Sequence, residues 1–338
     1  MRSRFSVAGL THAIALSVLF ATIASAGALA QGQPSSVNPT ASSVQERQLL
    51  EALNPSLGKT SAVHGRVSIP DQRSGNLIQP EGRNWRSLHE VVLPRTGTIA
   101  ILGMLALLSV FYLLRGRVEI EGGRSGATLT RFNFVERFAH WLTAVSFLAL
   151  GLTGLNLTFG RSVLLPMIGP ETFASLTQTG KFVHNYGSFA FTTGVVLMLL
   201  IWIKDNIPHP RDLLWLLKGG GMLGLHVAAA RFNAGQKIIF WVVILGGAGL
   251  AYTGYNMMFP FAFADIAGMQ QFTILHALIG VVMVAVIIAH IYIGTLGMEG
   301  AFEAMGSGEV DLNWAKSHHS IWAERQLAKM DKLHAPAE

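Results

Sequence analysis

The chain has 338 residues, 51% hydrophobic and 13% charged, with a net charge of +6 and no cysteine. A soluble domain carries about 25% charged residues, so half that share over this length excludes an ordinary water-soluble enzyme. The missing cysteine excludes a thiolate-held iron–sulfur cluster, an all-cysteine zinc site, a disulfide and a haem attached through C-x-x-C-H, leaving redox or metal chemistry to histidine or an organic cofactor.

Residues 1–30 read as a secretory signal peptide: Arg2 and Arg4, an apolar stretch from Ala13 to Ile23, and the small-x-small pattern Ala28-Leu29-Ala30 before Gln31. An uncleaved anchor helix is the other reading. Residues 31–95 form a periplasmic extension, rich in Ser, Gln, Asn, Gly and Pro up to residue 90, with a helical period only from Val44 to Leu53. Such a segment buries too little apolar surface to fold alone, so it is loosely structured or ordered on a partner subunit.

Five apolar runs follow: Thr96–Leu114, Phe138–Leu157, Phe182–Ile203, Ile238–Met258 and Phe272–Leu296. Each is long enough to cross a hydrocarbon core of about 30 Å, and none contains Asp, Glu, Lys or Arg. Backbone polar groups in lipid must be satisfied internally, which makes the runs helices. The loop at 115–137 carries Arg115, Arg117, Arg124, Arg131 and Arg137; the loop at 204–237 carries Lys204, Arg211, Lys218, Arg231 and Lys237. The two loops on the other side hold only Arg161 and Lys181. The basic loops and the tail from 298 to 338 are therefore cytoplasmic and the mature N-terminus periplasmic. The excess charge thus belongs to membrane topology and needs no nucleic-acid partner.

Four histidines lie within the runs: His140, His184, His276 and His290. Ionisable residues are costly in a membrane and mark function there. His276 and His290 are fourteen residues apart on one helix, which puts both rings on one face, about 21 Å apart along the axis. His140 is at the cytoplasmic start of the second run and His184 at the periplasmic start of the third, so His140 is level with His290 and His184 with His276. Two facing imidazoles at one level are what a six-coordinate b-type haem requires. Gly187, Gly280 and Gly294 follow these histidines at helical spacing, where a macrocycle needs room, although helix packing uses glycine in the same way. A proton or ion transporter is the competing use of buried histidines; it would carry acidic residues or broken helices at mid-membrane, and these runs show neither.

Before the fourth run stands Arg231-Phe-Asn-Ala-Gly-Gln-Lys237. Asn233, Gln236 and the backbone amide of Gly235 offer donors to the two carbonyls of a quinone, and the following apolar helix offers a wall. A plain helix start with Asn233 as N-cap fits the same residues. His318-His319 in the tail lacks a third ligand and reads as solvated.

The run Glu136-Arg-Phe-Ala-His140-Trp141, the Phe182-Val-His184 segment, Phe232-Asn-Ala-Gly-Gln-Lys237, the His276/His290 helix and Trp314-Ala-Lys-Ser-His-His319 together resemble the cytochrome b (gamma) subunit of membrane-bound respiratory formate dehydrogenase. The resemblance covers roughly residues 130–325. It implies an all-α membrane protein: a four-helix transmembrane di-haem bundle at 130–297, here with one additional N-terminal transmembrane helix at 96–114. It implies two haem b groups, the cytoplasmic one on His140 and His290 and the periplasmic one on His184 and His276, with Asn233, Gly235 and Gln236 as contacts of a quinone (menaquinone or ubiquinone). It also implies partners in the bacterial inner membrane: an iron–sulfur beta subunit and a molybdenum- or tungsten-containing catalytic alpha subunit. The chain shows no motif for binding molybdenum, flavin or nicotinamide, so it is an electron-transfer subunit. The cytochrome b of a nickel–iron hydrogenase is the nearest rival.

Overall fold

The computed structural model describes residues 82–220 and 227–334. The expected signal peptide, the expected extension up to residue 81 and its stretch from Val44 to Leu53 lie outside the described residues. Among the described residues, five helical stretches are long and apolar enough to cross a membrane: Asn84–Arg115, Phe134–Val163, Pro170–Trp202, Ala234–Met258 and Ile266–Gly297. The protein is accordingly all-α in its main body and a multi-pass membrane protein.

The helices outrun the apolar segments read from the sequence, because hydropathy marks the part suited to lipid while capping chemistry sets the ends. The first span is α1 (Leu93–Arg115), preceded without a break by a π turn at Leu88–Val92 and a helical turn at Gly82–Ser87. Pro94 has no N–H for the carbonyl one turn back; the wider π turn, with Leu93 N–H on Leu88 O, fits the helix around it. The end of the predicted extension is thus helix.

The second span, α2 (Phe134–Val163), begins at a capping box: Asn133 accepts from Glu136 N, and Glu136 accepts from Asn133 N. After α3 (Pro170–Trp202) and the short α4 (Pro210–Leu217) comes α5 (Ala234–Met258), opened by a second capping box between Asn233 and Gln236. The last span, α6 (Ile266–Tyr292), starts at Asp265, whose side chain accepts from Gly268 N, and runs on through a π turn at Ile293–Gly297.

α2 packs on α3, α3 on α5, α5 on α6 and α6 on α2, closing a four-helix ring; α1 lies outside it against α6. Phe147, Phe191, Val195, Met198, Phe240, Val243, Ile244 and Met283 fill the centre. Glycine sets the closest approaches. A Cβ on Gly97 would sit 2.8 Å from the Phe159 ring, and one on Gly247 would sit 3.1 Å from Val195 and 3.3 Å from Phe191. Leu152, Leu200, Leu245 and most of α1 stay exposed, as faces turned to lipid must.

One end of the bundle carries a folded cap. β1 (Thr128–Thr130) pairs antiparallel with β2 (Glu309–Asp311), placing Leu129 opposite Val310. Helices α7 (Leu312–His318) and α8 (Ser320–His334) follow. Leu129, Phe132, Val310, Trp314, Ala315, Trp322 and Ala323 form its core. The tail expected to be solvated is therefore structured, and His319 is fully buried in it. The reason is tertiary: Trp314 and Trp322 find apolar partners only when the loop after α1 pairs with the strand after α6.

Candidate functional site

At the end of the bundle away from the cap, α3 presents His184 and α6 presents His276, with ring centroids 6.0 Å apart and planes at 68°. Each ring is held by the helix beside it. Thr153 Oγ1 on α2 lies 2.9 Å from His184 Nδ1, and Thr253 Oγ1 on α5 lies 2.9 Å from His276 Nδ1. Each hydroxyl already donates its one proton to a backbone carbonyl, Thr153 to Ala149 O at 2.8 Å and Thr253 to Gly249 O at 2.7 Å. Towards the imidazoles they therefore accept, which puts the proton on Nδ1 and leaves the Nε2 lone pair free. The next residue in each case is glycine. A Cβ on Gly154 would lie 3.4 Å from His184 Cε1, and one on Gly254 would lie 3.2 Å from His276 Cε1, so the rings rest on bare backbone.

Toward the cap, His140 of α2 and His290 of α6 have ring centroids 6.2 Å apart and planes at 58°. This pair is supported differently. His140 Nδ1 is buried with no hydrogen-bond partner. Trp141 meets the His140 ring edge-on at 5.3 Å and donates from Nε1 to Met305 O at 2.9 Å, which ties this level to the cap.

Both pairs fit an iron held between them. An imidazole nitrogen binds a first-row metal at about 2 Å, so two rings on opposite sides of one ion stand about 6 Å apart centre to centre. Among the described residues no group of three or more His, Cys, Asp or Glu could hold a metal by itself. A donor set of two neutral imidazoles in an apolar bundle suits a metal that brings its own equatorial ligands, as haem does.

The structure places Asn233, Gly235 and Gln236 at the capped end, in the first turn of α5. Asn233 Oδ1 and Gln236 Oε1 are engaged by each other's backbone N–H, at 3.0 and 3.2 Å. Both acceptors are used in the cap; the amide nitrogens, the donors a quinone carbonyl needs, are outside it. A Cβ on Gly235 would come within 3.0 Å of Trp215, so an aromatic face covers this turn. Lys237 is buried and donates to Asp212 Oδ2 at 2.8 Å and Ile207 O at 3.0 Å.

Beside this turn, two arginines lock the loops before α2 and α5 together. Arg131 Nη2 donates to Arg231 O at 2.6 Å, and Arg231 Nη2 donates to Arg131 O at 3.1 Å. Arg231 also pairs with Glu136 at 2.6 Å and Asp205 at 3.1 Å. Glu136, itself buried, accepts from Trp202 Nε1 at 2.9 Å. Arg131 lies over the rings of Phe132, Trp314 and Trp322 at 5.1 to 5.3 Å. Burial and then the Arg231 charge bring its pKa down to about 9. His319 bonds Ala230 O through Nδ1 at 2.9 Å and faces Arg131 Nη2 through Nε2 at 3.1 Å. Burial, then the Arg131 charge, hold it well below the usual histidine range, so it is a neutral structural partner. A cavity of about 650 Å³ opens here, lined among others by Arg131, Glu136, Arg231, Arg325 and Lys329.

Gly187 and Gly280 do not border the histidine rings: their nearest neighbours are Leu150 and Leu250, and Gly294 faces open space. The glycines and threonines that touch the rings went unread in the sequence. A signal for them exists. Arg-Phe-Asn occurs at 131–133 and again at 231–233, and Thr-Gly at 153–154 and 253–254, each pair one hundred residues apart. The α2–α3 and α5–α6 hairpins are two versions of one plan.

Residues 131–308, just over half the chain, match the family model described as prokaryotic cytochrome b561. Similar proteins include the cytochrome b556(Fdn) subunit of the nitrate-inducible formate dehydrogenase of Escherichia coli K12, 29% identical over 60% of this chain and 93% of that protein. The cytochrome b556(fdo) subunit of formate dehydrogenase from the same strain is 28% identical over 58% of this chain and 92% of its own length. The formate dehydrogenase cytochrome b556 subunit of Haemophilus influenzae is 27% identical over 64% and 90%. With a membrane bundle, paired imidazoles and this match, the chain belongs to the prokaryotic cytochrome b561 family, whose cofactor is haem b.

Proposed function

We propose that this chain is the membrane cytochrome b subunit of a formate dehydrogenase, carrying electrons from a periplasmic iron–sulfur subunit to quinone through two b haems. The observation that carries the reading is the pair of imidazole gaps, 6.0 and 6.2 Å, at two levels of one bundle. His184 and His276 hold one haem, His140 and His290 the other; bound there, each supplies a one-electron ferric/ferrous couple. Asn233, Gln236 and the Gly235 amide orient the quinone head group beneath Trp215. The relatives are named as formate dehydrogenase subunits, which favours that enzyme over a hydrogenase. The catalytic subunit, with molybdenum or tungsten, is a separate chain.

The basic loops and the cap face the cytoplasm, the N-terminus faces the periplasm, and the membrane is the bacterial inner membrane. Quinone reduced at the capped end draws its protons from the cytoplasm. Electron transfer across the bundle then generates membrane potential without a proton channel. Each charge crossing against 100 mV costs ~2.3 kcal/mol.

The test is the purified complex. A pyridine haemochrome assay should give two b haems per copy of this chain, and formate should reduce them. Asn233→Ala or Gln236→Ala should slow their reoxidation by quinone while both haems stay bound. One haem, reduction by hydrogen instead of formate, or unaltered reoxidation in both variants would overturn the corresponding part of the reading.

A further inference from the structure

His184 and His276 differ from His140 in what stands behind the ring. His184 and His276 each donate from Nδ1 to a threonine hydroxyl that is itself tied to its helix backbone at 2.7 to 2.8 Å. At the other level His140 Nδ1 is buried without an acceptor. From this contrast, and resting on the two-haem reading above, we infer that Thr153 and Thr253 are positioning residues. They fix the ligand tautomer at the uncapped end and make the haem there the lower-potential one of the two.

The physical basis is the ligand's electron density. An imidazole whose Nδ1–H is hydrogen-bonded is more basic at Nε2 and favours ferric over ferrous iron. The supporting shell is itself rigid. Each threonine is β-branched and sits in a helix, with its proton committed to the carbonyl four residues back. With that proton on a carbonyl, the oxygen presents lone pairs to the ring, which favours the tautomer with Nδ1 protonated and Nε2 free. Gly154 and Gly254 complete the device: a Cβ at Gly254 would crowd the His276 ring at 3.2 Å, and one at Gly154 would just touch the His184 ring at 3.4 Å. The arrangement occurs once in each hairpin, so both ligands of one haem are supported alike. Electrons arriving at the uncapped end then find a step downhill toward His140 and His290.

The experiment is potentiometric titration of both haems in the intact complex carrying Thr153→Val, Thr253→Val or Thr153→Ser. Valine keeps the shape and removes the threonine oxygen, leaving each ring only the backbone carbonyl of Leu150 or Leu250; serine keeps the hydroxyl. Each valine variant should raise the midpoint of one haem, the same one in both, by about a tenfold change in its one-electron equilibrium, about 59 mV. The other haem should not move, and the serine variant should titrate as wild type. Loss of that one haem in Thr153→Val with full retention in Thr153→Ser supports the inference equally. Valine variants that keep both haems at wild-type potentials, or a serine variant that behaves like valine, would overturn it. Fewer than two b haems in the wild-type complex would instead sink the underlying two-haem reading, so the two failures are separable.

Discussion

At the uncapped end the two hairpins contribute alike: a histidine from α3 or α6, and a Thr-Gly step from α2 or α5 that receives it. At the capped end the equivalence is broken. Fourteen residues after His276 comes His290, but fourteen after His184 comes Met198; one hundred residues after His140 comes Phe240. Met198 and Phe240 are buried in the bundle centre. A strictly repeated plan would bring four imidazoles to one level, where apolar packing could not close. Replacing two of them leaves one pair and restores a core. The asymmetric end is also where the Arg131–Arg231 clamp, the cap and the candidate quinone contacts are built. Symmetry thus marks the end that pairs His184 with His276, and departure from it the end that carries the cap and the Arg131–Arg231 clamp.

The largest test of this comparison removes ligands. His184→Ala or His276→Ala should cost the uncapped-end haem alone, and His140→Ala or His290→Ala only the other, read as loss of one of two components in low-temperature absorption spectra. A single substitution that abolishes both components would show that the ends are not independent.

Next in size is the clamp. Arg231→Met leaves the buried Glu136 without its 2.6 Å cationic partner, and losing a hydrogen bond to a charged group in this part-buried pair costs about 1.5–3 kcal/mol. Thermal unfolding should fall accordingly, and hydrogen exchange should rise at β1 and β2 while α3 and α6 near His184 and His276 stay protected. Uniform loss of protection would erase the distinction between the two ends.

The smallest expected effect is a pH dependence confined to the cap. His319 stays neutral in the folded chain through burial and the Arg131 charge, whereas in the unfolded chain it takes up a proton below about pH 6.5. Its contribution is full above that pH and is lost as pH falls toward the folded-state value, at up to about 1.4 kcal/mol per unit. Stability measured between pH 7.5 and 5.5 should show this slope, and His319→Gln should flatten it. A wild-type slope unchanged by that substitution would assign the titration elsewhere.

Five spans, the depths of His140, His184, His276 and His290 and the levels at which they pair were legible in the sequence, because lipid admits few solutions. A crossing helix needs a continuous apolar run, and a rise of about 1.5 Å per residue turns position directly into depth. Azimuth was not legible. Which helix face meets which neighbour depends on how all four helices close around the core, so the sequence did not reveal that Gly154 and Gly254 lie against the histidine rings, with Leu150 beside Gly187 and Leu250 beside Gly280. The cap was equally hidden. Arg131 with Glu136, Arg231 and His319 come from three distant stretches of the chain and are polar, and residue by residue they look solvated. Only strand pairing between 128–130 and 309–311, with Trp314 and Trp322 folded over Arg131, takes them out of water and makes each a buried partner of the next.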